Sequence, residues 1–120
     1  MTDRRSRTAG WLEDMLVAGT RISDYLADVD IDQFKDQRLL QDAVIRNFEV
    51  LGEAARNVLR HDPDFVAEHT DVPFRVLNDM RNQLIHAYNV VNLDVVWRAA
   101  REHLPPLISN LRNLIDAVRG

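Results

Sequence analysis

The sequence predicts an all-α protein: one domain, an antiparallel four-helix bundle whose C-terminal helix is kinked or broken. Three observations predict it. Apolar residues recur at helical spacing through almost the whole chain. The sustained alternation and paired turn residues of strands and hairpins are missing. The proline-bearing breaks leave only short connections, which favour antiparallel neighbours. A chain of 120 residues buries one core without staples and is too short for two, so residues 1–120 read as a single domain.

The first helix is expected from about Thr8 to Ala27, with Trp11, Leu12, Met15, Leu16, Ile22, Tyr25 and Leu26 along one stripe and Gly19 as a tolerated weak point. Asp28 to Gln37 reads as a connection, with a short turn opened by Asp30 as N-cap and Gln33 in the capping-box position. The second helix, about Arg38 to Arg60, carries Leu40, Val44, Phe48, Leu51, Ala55, Val58 and Leu59 and is expected to be central. Asp62-Pro63-Asp64 and Thr70-Asp71-Val72-Pro73 are turn and helix-start signals, because proline disfavours a helical residue before it and suits the first turn. A third helix therefore starts near Pro73, buries Phe74, Leu77, Met80, Leu84 and Ile85, and ends around Ala87 to Asn89. Asn92 caps a fourth from Val95, with Trp97 and Leu104 inward; Pro105-Pro106 must kink or restart it before Leu107, Ile108, Leu111, Leu114 and Val118. The stripes of the first and last helices are broad for so small a bundle, which points to a homodimer.

Composition narrows the function classes. With no cysteine there is no disulfide framework, thiolate metal site or cysteine nucleophile. The opening residues Met1 to Arg7 are charged, and no stretch is apolar enough to span a bilayer, so a cytoplasmic protein without membrane association is the expectation. A net charge of −4 argues against a protein that coats nucleic acid. It leaves room for an enzyme that needs positive charge only at one phosphate. His61, His69 and His103 have no partners at metal-ligand spacing and read as surface residues, and no phosphate loop or nucleophile elbow is present. Neither a metal nor a cofactor is expected.

Three blocks stand out: Arg46-Asn47-Phe48-Glu49-Val50-Leu51-Gly52-Glu53-Ala54-Ala55, then Met80-Arg81-Asn82-Gln83-Leu84-Ile85-His86-Ala87-Tyr88, then Val96-Trp97 with Leu104-Pro105. Their content and order resemble the HepT-like family of the HEPN superfamily. The resemblance runs over nearly the whole chain. Its specific part is arginine, four residues, histidine, one residue, tyrosine, at Arg81, His86 and Tyr88. Phe74 stands where the family often has tryptophan, a difference of packing. The resemblance implies a HEPN-type bundle that dimerises and acts as a metal-independent ribonuclease toxin. It also implies a neighbouring antitoxin, a minimal nucleotidyltransferase of MntA type, which transfers AMP to the motif tyrosine, here Tyr88.

Read as chemistry, His86 is the one side chain of the cluster that exchanges protons near neutral pH, imidazole titrating near ~6.5 in water. Arg81 offers a permanently charged fork that matches phosphate oxygens. Asn82 is placed to orient the imidazole or hold a phosphate oxygen, and Tyr88 to position substrate or stack on a base. Five helical residues separate Arg81 from His86 by about 140° and ~7.5 Å, so Arg81 must reach round, the helix must distort at His86, or a second subunit must complete the site, and a cleft between two copies is favoured. Against this stand plainer readings. An arginine and a histidine at a helix end often serve only the helix dipole. Arg46, Asn47, Glu49 and Glu53 read mostly as interhelical salt bridges, Gly52 as a point of close helix approach, and Trp97 as packing. A non-catalytic HEPN subunit that binds a nucleotidyltransferase partner or a nucleotide is the alternative function, and a purely structural helical dimer a third.

Overall fold

A computed structural model of the chain describes residues 3–87 and 90–120. Among them are seven α-helices: α1 (Arg4–Tyr25), α2 (Ile31–Asp36), α3 (Arg38–His61), α4 (Pro63–Glu68), α5 (Phe74–His86), α6 (Leu93–Arg98) and α7 (Leu104–Arg119). The long helices α1, α3, α5 and α7 form the expected antiparallel bundle. No helix is long and apolar enough to cross a membrane among the described residues.

Helix α1 starts at Arg4 rather than Thr8 because Asp3 caps it, its carboxylate accepting from the Ser6 N–H at 2.8 Å. Leu12, Met15, Ile22 and Leu26 are buried, whereas Tyr25, expected on the same stripe, is exposed at the helix end. Gly19 does more than weaken the helix. Leu104 and Ile108 of α7 pack where its side chain would be. Helix α2 carries both hydrogen bonds of the capping box between Asp30 and Gln33, and pins Phe34 into the core.

Helix α3 is central, packed by α1 on one side and α5 on the other, with α7 lying against α1. Val44, Phe48, Leu51, Ala55 and Val58 are buried along it, each worth about 1.5–3 kcal/mol for a large side chain. Asp62, at its end, accepts a 2.7 Å hydrogen bond from buried Thr8 of α1. The turn and helix-start signal at Asp62-Pro63-Asp64 opens the short α4, with Pro63 in its first turn.

Helix α5 packs chiefly on α3, so its stripe is shallower than expected: Phe74 is buried, Leu77, Met80 and Leu84 are half-buried, and Ile85 is exposed. Between α5 and α7 an apolar groove of about 340 Å³ remains, floored by Phe48 and walled by Val76, Met80, Leu104 and Leu107. Helix α6 starts at Leu93, not Val95, under the Asn92 cap. The break before the two prolines is a π-helical turn, Ala99–His103, in which the Leu104 N–H donates to the Ala99 carbonyl. Pro105 and Pro106 supply no N–H to the preceding carbonyls, and the wider turn absorbs that loss.

Candidate active site

The site is built on the seam between α3 and α5. Gly52 makes the seam close: a Cβ there would lie 2.3 Å from the Arg81 Cβ and 2.7 Å from the Leu77 carbonyl oxygen. The base of Arg81 is thereby pressed against the α3 backbone. Its guanidinium turns back along α3, with Nη2 at 3.1 Å from Glu53 Oε2 and Nη1 donating to Asn82 Oδ1 at 2.8 Å. Glu53 Oε2 is shut off from solvent and accepts no well-aligned hydrogen bond among the described residues, so Arg81 is its principal compensation. Arg56 stands farther off, 3.7 Å from the other carboxylate oxygen. Arg81 keeps 24% of its side chain exposed.

His86 sits differently. It is the last residue of α5 and is exposed. The helix is unbroken from Arg81 to His86, so the two side chains leave it about 140° apart. A local distortion does not close the motif, and the described residues of one chain do not bring the pair together. Asn82, considered as an orienter of the imidazole, is engaged instead by Arg81. Tyr88 lies outside the described residues; α5 ends before it, at His86.

Arg81 opens onto a groove of about 530 Å³ with α3 as floor and α1 and α5 as walls. Arg21, Arg46 and Arg81 line it beside Asp14, Glu49 and Glu53, with Val17 and Ile85 at the surface. Its charges balance, so it is not a general sink for anions. Of the polar α3 residues read as interhelical salt bridges, Glu53 alone crosses to another helix among the described residues. Arg46 pairs with Glu49 within α3 at 3.7 Å, and Asn47 is buried by donating to its own helix at Ala43. The Glu53 contact is the site feature that spacing could not settle, since Glu49 and Glu53 are equally plausible partners until the helix crossing is known.

Outside the seam, His61 and His103 are exposed, the former stacked on Trp11 at 5.2 Å, while His69 is half-buried against Phe65 at 4.2 Å. Trp97 packs on Phe34 and under the Arg101 guanidinium, 4.5 Å from its ring centre. Among the described residues no group of three histidine, aspartate or glutamate side chains is placed to hold a metal ion.

Comparison with known proteins adds a further line. The profile of the family described as "Ribonuclease HepT-like" matches residues 15–114. A "Probable ribonuclease HepT" from Thermococcus cleftensis is 34% identical over 104 residues, covering 87% of this chain and 92% of the relative. A protein of Methanocaldococcus jannaschii, described as a candidate RNase, is 31% identical over 110 residues, covering 92% and 88%. A third, likewise described and from Caldanaerobacter subterraneus, is 26% identical over 106 residues, covering 88% and 92%. No solved structure matches the chain.

Proposed function

The chain belongs to the ribonuclease HepT-like family, and from that premise we propose that it is a metal-independent endoribonuclease whose working groups are Arg81 and His86. One observation carries the reading beyond the family: Arg81, held between Gly52, Glu53 and Asn82, lines an open groove with part of its side chain exposed. In RNA the 2′-hydroxyl loses its proton to an imidazole and attacks the adjacent phosphorus. The bond from phosphorus to the 5′-oxygen breaks as that oxygen gains a proton, and a cyclic phosphate remains. Arg81 stabilises the charge gathered on the phosphoryl oxygens. Because one helix separates Arg81 from His86, the active unit is a homodimer in which two copies of the cluster face one strand. The groove's balanced charges and exposed Val17 and Ile85 suit a second copy related by a twofold axis.

The biological role that fits is the toxin of a toxin–antitoxin pair, with a minimal nucleotidyltransferase of MntA type as antitoxin. Transfer of AMP from a nucleoside triphosphate to the Tyr88 hydroxyl, with pyrophosphate leaving, adds an anionic phosphodiester and a bulky adenosine to the motif and blocks RNA by charge and volume. Intact-mass analysis after co-expression with the cognate enzyme tests this; a mass gain that survives Tyr88→Phe overturns it. For the nuclease itself the test is growth arrest on expression, wild type against His86→Ala, with cleavage in vitro measured with and without EDTA. Arrest and cleavage that resist EDTA and vanish in His86→Ala are expected. Cleavage that vanishes with EDTA, or persists in His86→Ala, overturns the reading.

A further inference from the structure

The ion pair between Arg81 and Glu53 asks for a cause, because a part-exposed pair contributes little to stability by itself. One carboxylate oxygen is taken out of water, receives no well-aligned donor among the described residues and faces a single guanidinium at 3.1 Å. With 43% of the Glu53 side chain exposed and Arg56 at 3.7 Å from its other oxygen, solvent and a second cation share the charge, so the pair adds little net stability. Three constraints meet on the same side chain. Gly52 fixes the base of Arg81, Glu53 fixes Nη2, and Asn82 accepts from Nη1. Such convergence serves direction better than stability, and the side chain so held lines the groove.

We infer that Glu53 is a positioning residue that aims Arg81 at the substrate phosphate, and that its charge opposes RNA in the ground state while its oxygen keeps the guanidinium aligned for the transition state. This rests on the ribonuclease reading above. A phosphate bound at Arg81 lies close to the Glu53 carboxylate, and like charges at such range weaken binding by a few-fold in a solvated groove. Misaiming a catalytic group by an ångström can cost about 10²-fold in rate. The two effects of Glu53 therefore have opposite signs and separate by substitution. Glu53→Gln keeps an acceptor oxygen at the same reach and removes the charge; Glu53→Ala removes both.

The experiment uses the full chain and a short single-stranded RNA in two forms, all-ribose for kcat and with one 2′-deoxy position, which cannot be cleaved there, for Kd. Glu53→Gln is expected to lower Kd roughly three- to tenfold, with kcat within about threefold of wild type. Glu53→Ala is expected to lower Kd similarly while kcat falls by about 10²-fold. In an Arg81→Ala background the Glu53→Gln effect on Kd should disappear, because the two groups act as one unit. A merely structural Glu53 would lower the melting temperature without tightening RNA binding. An unchanged Kd in Glu53→Gln, or an equal change with and without Arg81, overturns the inference and leaves the ribonuclease reading standing. Absence of both cleavage and RNA binding by the wild type overturns that reading, and the inference with it. Should Glu53→Ala fail to fold, the Glu53→Gln arms decide alone.

Discussion

Arg81 and His86 lie five positions apart on one helix, yet they occupy opposite physical situations. Arg81 is mid-helix, wedged against Gly52 and tied to Glu53 and Asn82. His86 is at the helix end, in solvent, with no share in that network. On the proposed ribonuclease reading, one half of the motif is preorganised by the fold of one chain and the other half awaits something from outside it. A group that bears charge in the transition state profits from rigid placement. A proton carrier must approach substrate, and an exposed imidazole at a helix end can do so once a second copy or the RNA closes over it.

The largest expected effect separates the two positions by stability as well as activity. His86→Ala should lower cleavage about 10²- to 10⁴-fold with an unchanged melting temperature, since an exposed side chain is removed. Arg81→Ala should lower cleavage comparably and also cost about 1–3 kcal/mol of stability, because Glu53 Oε2 is then buried without its counter-charge. Parallel thermal melts and single-turnover assays check this. Equal melting behaviour of the two variants would erase the distinction between a clamped and a free half.

If the missing half comes from a second copy, inactive variants should complement. Mixing Arg81→Ala with His86→Ala, after dissociation and reassembly, should raise cleavage at least about tenfold over either alone, because a mixed dimer holds one intact pair across its interface. No recovery, together with light scattering that shows only a 13.9 kDa species, would break the idea of a shared site.

The clamp itself depends on Gly52. Gly52→Ala forces the new methyl group into Arg81 and the Leu77 carbonyl, so α3 and α5 must part. A destabilisation of about 1–3 kcal/mol is expected, read by denaturant melts, with cleavage reduced alongside. A variant as stable as wild type would show that the seam has slack and that Arg81 is less tightly placed than its contacts imply.

Much of this was legible in the sequence. The helix periodicity, the Asp30–Gln33 capping box, the Asn92 cap and the paired prolines each act through local physics, and each is found where expected or within a few residues. Gly52 was legible as a point of close approach because few other reasons put glycine in an apolar helix. What was not legible depends on how helices cross. Tyr25 and Ile85 sit on apolar stripes by spacing but at the rims of contacts whose extent the sequence does not give. Asp3, whose carboxyl is held below its usual range chiefly by the Ser6 backbone N–H, moves the start of α1 forward, a cap hidden among charged residues that carry no periodicity. Glu53 is indistinguishable from Glu49 until α5 lies across α3, and the two sequence readings of Asn82, orienting the imidazole or holding a phosphate oxygen, do not include the Arg81 bond it makes.

Asn82 gives the smallest and sharpest test of the contrast between the two halves. Its side chain sits between them in sequence, and its oxygen is committed to Arg81 Nη1 at 2.8 Å. If that bond only refines the direction of a guanidinium already held by Glu53, Asn82→Ala loses one part-exposed hydrogen bond. That is worth about 0.5–1 kcal/mol, or roughly two- to fivefold in kcat. The loss should be absent in an Arg81→Ala background, measured on the residual rate, and present in full in a His86→Ala background. The opposite pattern, dependence on His86 and independence of Arg81, would mean that Asn82 swings to the imidazole when substrate binds. The preorganised half would then end at Glu53 and Arg81, and the helix-end half would begin one residue later, at Asn82.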